Sequence, residues 1–128
     1  MPSTRNERRR LDLTNLEHAV LEAILAEDTV LARGLRGQLA DITVVSRQHT
    51  GVGFFTYLAV AADAMPLDPP ESTAFGDVSA TIPGLVYGAG FVVFVEAGRL
   101  TMLEGYCYQE AWPTEITAFE LQRGPVAG

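Results

Sequence analysis

Apolar residues recur along this chain at two spacings, and the change falls near Ile42. Before it, Leu16, Ala19, Val20, Ala23 and Ile24 stand three and four apart, widened by Leu21 and Leu25, which draws one apolar stripe along a helix. Thr14 and Glu17 precede that stripe at the spacing where each side chain caps the other's backbone N–H, so a helix is predicted to open at Thr14, with Leu13 stapling its entry. Glu27, Asp28 and Thr29 end it and cap a second helix, in which Leu31, Leu35 and Leu39 stack at intervals of four. Gly34 and Gly37 each cost about 1 kcal/mol against alanine in a helix interior, so close packing against a neighbour is expected there.

From Ile42 the pattern alternates. Residues 42–47 and 54–60 read as two strands, and the interruption at residues 50–53 reads as a hairpin turn. Residues 63–77, with Pro66, Pro69 and Pro70, have no period and form the long loop of the fold; residues 77–82 then alternate as a short strand until Pro83-Gly84 ends it. Residues 91–108 make two strands joined at Ala97-Gly98, the stretch that the others are expected to pack around. After a break at residues 110–113, residues 115–121 alternate as a last, edge-like strand.

In the central ribbon, Ala97 and Gly98 as loop residues put Val95 opposite Leu100 and Val93 opposite Met102 on one side. Phe94 and Val92 then face Thr101 and Leu103 on the other. Both faces are apolar, and an isolated hairpin is marginal in water, so helix, further sheet or another subunit is expected to cover each of them. The fold class is therefore α+β: an N-terminal helical pair packed on a twisted antiparallel sheet of about five or six strands. Residues 13–122 are expected to form a single domain, with tails at 1–12 and 123–128.

At 128 residues the chain is long enough to bury a core without disulfides or metal. No apolar run approaches the roughly 20 residues that span a bilayer, and no uninterrupted apolar segment follows the basic start, so a cytoplasmic protein without membrane contact is expected. Net charge is -7, yet Arg5, Arg8, Arg9 and Arg10 crowd the first ten positions, which leaves the body more acidic still. Such a body repels nucleic acid and suits a basic protein partner, besides keeping the chain soluble. All nine basic residues are Arg, a usage that goes with a GC-rich bacterial genome. Cys107 is the lone cysteine, which excludes an intramolecular disulfide and a Cys-rich zinc site; between Tyr106 and Tyr108 it reads as a buried, unreactive thiol.

Candidate chemistry is sparse. Gly51-Val52-Gly53-Phe54 and Gly88-Ala89-Gly90-Phe91 both run into apolar strands. Neither has the third glycine or the following helix that a dinucleotide-binding loop requires, so they read as bends or close backbone approaches. His18 and Glu22 form a solvated pair on the first helix, and His49 stands at a strand end without the partners of a triad. With only His18, His49 and Cys107 to join carboxylates, no metal is expected, and neither catalytic residue nor cofactor is assigned. Glu104 falls opposite Phe91, on the side of Met102 and Val93. There it is either a desolvated acid with a raised pKa or a rim residue paired with an Arg such as Arg47. Glu96 lies on the other side beside Arg99, so the two carboxylates form no paired site unless the register shifts by one. The candidate binding set is Glu104, Arg47, His49, Tyr106 and Trp112, around a pocket between helices and sheet.

Residues 35–55 and 88–113, with Gly-x-Gly-Phe followed by Met-Leu-Glu-Gly-Tyr and Trp-Pro, resemble a family of small bacterial proteins to which no activity is attached. The resemblance implies no functional residue. Two readings follow. The first is a non-enzymatic protein-interaction module of the immunity or accessory kind, suggested by small size, an acidic body and no catalytic constellation. The second is a small-molecule binder or simple enzyme using that pocket. An RNA-associated role for the Arg-rich start ranks below both, and Tyr106, Tyr108, Trp112 and Pro113 together suggest an aromatic patch for a homodimer.

Overall fold

In the computed structural model, which describes residues 12–124, the Thr14 hydroxyl accepts from the Glu17 N–H at 3.1 Å while the Thr14 N–H donates to Glu17 Oε1 at 2.8 Å. That reciprocal cap starts α1 (Asn15–Leu25), and Thr29 caps α2 (Val30–Arg36) through the Ala32 N–H at 3.0 Å. A single 3₁₀ turn (Leu39–Asp41) leads into the sheet. Six strands follow: β1 (Ile42–His49), β2 (Gly53–Val60), β3 (Thr73–Thr81), β4 (Ala89–Glu96), β5 (Arg99–Cys107) and β6 (Glu120–Arg123). They form one antiparallel sheet in the order β1-β2-β5-β4-β3-β6, with both helices ahead of it in the chain.

α1 crosses that sheet from edge to edge. Near its start Glu17 meets Arg47 on β1; near its end the Ala23 carbonyl accepts from Arg123 Nη2 of β6 at 2.6 Å, and Glu27 pairs with Arg123 at 3.2 Å. Its apolar stripe, Leu16, Val20, Leu21, Ile24 and Leu25, is buried against Phe54, Val78, Phe91, Val93, Leu100 and Leu103. Burying each such side chain favours folding by roughly 1.5–3 kcal/mol, so this interface is a large favourable contribution to folding. Gly34 of α2 has the close neighbour that its place in a helix requires: a methyl there would lie 2.5 Å from Leu67 of the long loop.

The loop is tied to the sheet by a buried amide. Gln38, 1% exposed, donates to the carbonyls of Met65 and Gly98 at 3.1 and 2.8 Å and accepts from the Leu100 N–H at 3.0 Å. At the β4–β5 turn Ala97 and Gly98 both adopt positive φ, 49° and 80°, the conformation of a two-residue hairpin turn that matches the twist of its strands.

Three expectations are corrected. Val95 does face Leu100, but Thr101 bulges out of β5, its hydroxyl donating to the Phe94 carbonyl at 3.2 Å, so Met102 faces Phe94 and Glu104 faces Val92 instead of Phe91. One inserted residue transfers every later side chain to the opposite face. Val93 and Leu103 therefore point to the helices, and Met102 and Glu104 point away. Among the described residues, α1 and α2 both lie on the Val93–Leu103 side of the central ribbon, and no helix lies on the other. β3 begins at Thr73, earlier than the alternation suggested, because its bulge at residues 76–77 breaks the period. The last strand is Glu120–Arg123, shorter and later than residues 115–121, since β3 ends at Thr81, opposite Glu120, and leaves the residues before Glu120 no strand to pair with. Asp12, Arg123 and Gly124 are the described parts of the expected tails; residues 1–11 and 125–128 lie outside the described residues.

Candidate functional site

Two places gather the residues singled out above. The first is a cleft of about 340 Å³ where the start of α1 meets β1, β2 and the segment after β5; Arg47, His49, Phe54, Trp112 and Pro113 are among its walls. In the register of β1 against β2, Arg47 faces Thr56 and His49 faces Phe54, all on the helix side. Trp112 is set by its backbone N–H, which donates to the Gly51 carbonyl at 2.8 Å, and its ring meets Phe54 edge-on at 5.4 Å. Phe54 fits there because Gly105 beneath it has no side chain.

At the floor of this cleft lies Glu17, 2% exposed, a residue the sequence marked only as a cap. Arg47 donates to both of its oxygens, Nε to Oε2 at 2.8 Å and Nη2 to Oε1 at 2.7 Å, and the Thr56 hydroxyl makes a short bond to Oε2. Burial pushes the Glu17 carboxyl upward, but the bonds from Arg47, Thr56 and the Thr14 N–H outweigh it and hold it below the usual carboxylate value. With four donors on two oxygens the carboxylate is held in its ionised form and all four bonds favour that form. The expected ion pair between Glu104 and Arg47 is replaced by this one, because the bulge at Thr101 sends Glu104 to the far face.

The second place is that far face. Glu104 lies between Phe55 of β2 and Val92 of β4, with Tyr57, Phe94 and Met102 one pair further along. Tyr106 crosses the ribbon to lie over Gly90, where a methyl would come within 2.6 Å of its phenol, and it meets Tyr108 edge-on at 5.6 Å. Burial first, then its bond to Tyr108 and the charge of Glu104, raise the Tyr106 phenol above its ordinary pKa. Most of these side chains are half-buried, and Tyr57 is 37% exposed. The Glu104 carboxylate has no hydrogen bond or ion pair among the described residues.

The five candidate residues thus divide: Arg47, His49 and Trp112 share the cleft, while Glu104 and Tyr106 share the opposite face. Trp112 and Tyr106 do not build one aromatic patch, since Trp112 packs toward the core. Between the helices and the middle of the sheet the space is filled by core side chains, and the cleft is its open end. A wider groove of about 640 Å³ runs between residues 81–86 and 118–120, but only Thr81 and Glu120 offer it polar side chains. His18 and Glu22 form an exposed pair at 3.4 Å. Cys107 is buried, its Sγ 3.3 Å from the carbonyls of Val52 and Glu110, and burial, with the charge of Glu110, raises its pKa. Among the described residues no three His, Cys, Asp or Glu side chains are grouped to hold a metal, and no helix is long and apolar enough to cross a membrane. No protein-family model, no curated protein and no solved structure matches this chain.

Proposed function

We propose that this protein is a non-enzymatic protein-interaction module, of the accessory or immunity kind, that recognises its partner with the helix-free face of its sheet. One observation supports the reading above the others: Phe55, Tyr57, Val92, Phe94, Met102 and Tyr106 share a face that no helix of the described residues covers. A soluble antiparallel sheet ordinarily turns polar residues to its open side, and a contiguous apolar patch on a protein surface marks an interaction site. Aromatic residues and Met are also the types enriched at the centres of protein interfaces. The commitment of Glu17 to Arg47, Thr56 and its own helix cap agrees with a structural use of the buried carboxylate.

A photo-crosslinking residue in place of Phe94 is expected to give one discrete protein adduct in the cells that make this chain. The same residue in place of exposed Glu22, on the helix side, is expected to give none. Equal labelling from both positions would remove the reading.

A second reading follows from the meeting of Arg47, His49 and Trp112 around an open cleft: a small ligand with a planar apolar body and an anionic end. Arg47 Nη1 donates no hydrogen bond among the described residues, and the Trp112 ring offers a wall. Trp112 is the chain's one tryptophan, so its fluorescence reports the cleft directly. Saturable quenching by benzoate but not by benzyl alcohol would favour this reading, and identical responses would end it.

A further inference from the structure

We infer that the partner of the helix-free sheet face is a basic protein that places an arginine on Glu104; this rests on the interaction reading above. Glu104 is a half-buried carboxylate between Phe55 and Val92, beside Tyr106, with no cation paired to it among the described residues. A partner that covered the apolar side chains would also take this carboxylate out of water. Removing an ionised group from water without a counter-charge is strongly unfavourable, whereas a cation delivered with the apolar surface turns the same group into a specificity contact. Arginine fits better than lysine, because its planar guanidinium pairs with a carboxylate through two bonds and stacks on aromatic rings such as Phe55 and Tyr106.

The same sheet face of a second copy fits poorly. Among the described residues, Arg99 is the one cation at an outward position of the sheet, facing Glu96 at the β4–β5 turn. Its guanidinium is already held by the carbonyls of Ala61 and Ala62 at 3.0 and 3.2 Å. Two copies at a net charge of -7 each also repel, while the same field draws a basic protein toward the face.

The test uses the isotopically labelled full chain and two probes of the same shape, N-acetyl-Leu-Arg-Leu-amide and its uncharged citrulline counterpart. The arginine peptide is expected to shift the amides of Phe55, Val92 and Glu104 saturably at millimolar concentration, with the citrulline peptide about tenfold weaker. Glu104→Gln, which alters an unpaired side chain and should leave the fold spectrum intact, is expected to erase the difference. Equal binding of the two peptides, or an unchanged preference in Glu104→Gln, would overturn the arginine assignment and leave the face as a docking surface. No shift on that face with either peptide would count against the interaction reading and the inference together. A dimer detected by sedimentation and dissolved by Phe94→Glu would make a second copy the occupant and overturn the basic partner.

Discussion

Glu17 closes the cap of α1 and neutralises Arg47 with the same carboxylate, so its loss is felt at two levels of structure. Removing one member of a buried pair typically costs about 3–5 kcal/mol, and Arg47, 19% exposed, places this case toward the lower end. Glu17→Gln is therefore expected to be about 3 kcal/mol less stable than wild type near neutral pH, measured by urea unfolding. The pH dependence has a definite sign. The folded carboxyl titrates below the unfolded one, so the pair's stabilisation is complete above the unfolded pKa and is lost as pH falls through the folded one. Over that acid window the wild type should lose more stability than Glu17→Gln, and parallel curves would contradict the assignment. Gln38 presents a second buried polar device: Gln38→Ala leaves the Leu100 N–H and one bond to the Gly98 carbonyl unmet, an expected loss of about 2–3 kcal/mol in the same assay. Neither role was legible in the sequence. The three-residue spacing of Thr14 and Glu17 announced a cap, which is a local event, but the partner of Glu17 lies thirty residues away on another element.

At the scale of elements, the alternation of residues 42–60 and the loop at Ala97-Gly98 specified their hairpins, because a period of two and a pair of turn residues are local signals. The turn also carries an imperfection that can be tested. Ala97 holds a φ of 49°, which asparagine tolerates better, so Ala97→Asn is expected to raise the melting temperature slightly, by about 0.5–1 kcal/mol of added stability. Gly98→Ala should do the reverse by about 1–3 kcal/mol, since its φ is 80° and its new methyl would lie 2.8 Å from the Leu67 nitrogen. What alternation could not reveal is the bulge at Thr101. A side chain sequence that is apolar on both faces reads equally well in either register, so the residue that decided where Glu104 points left no mark in the pattern. The last strand slipped for a related reason: residues 115–121 alternate, but pairing was decided by the length of β3 available to them.

For the whole molecule, charge and shape pull in opposite directions. An apolar sheet face invites association, and a net charge of -7 discourages it between copies. The chain is accordingly expected to sediment as a monomer near neutral pH and to self-associate as the pH approaches its isoelectric point of 4.7; a stable dimer at both pH values would show that the face is satisfied by its own kind. Fold class followed from composition and period, whereas the division of the candidate residues between two faces depended on distant pairings. The strand order has a consequence for biosynthesis. β2 waits for β5, a partner made more than forty residues later, and α1 waits for β6 to hold its far end. A nascent chain must thus keep its first hairpin and its helix without their final neighbours until nearly all of the sheet has emerged. Non-local pairing of this sort slows folding and prolongs the exposure of sticky surface, which makes translation pauses before Cys107 the moment at which this protein most needs a chaperone.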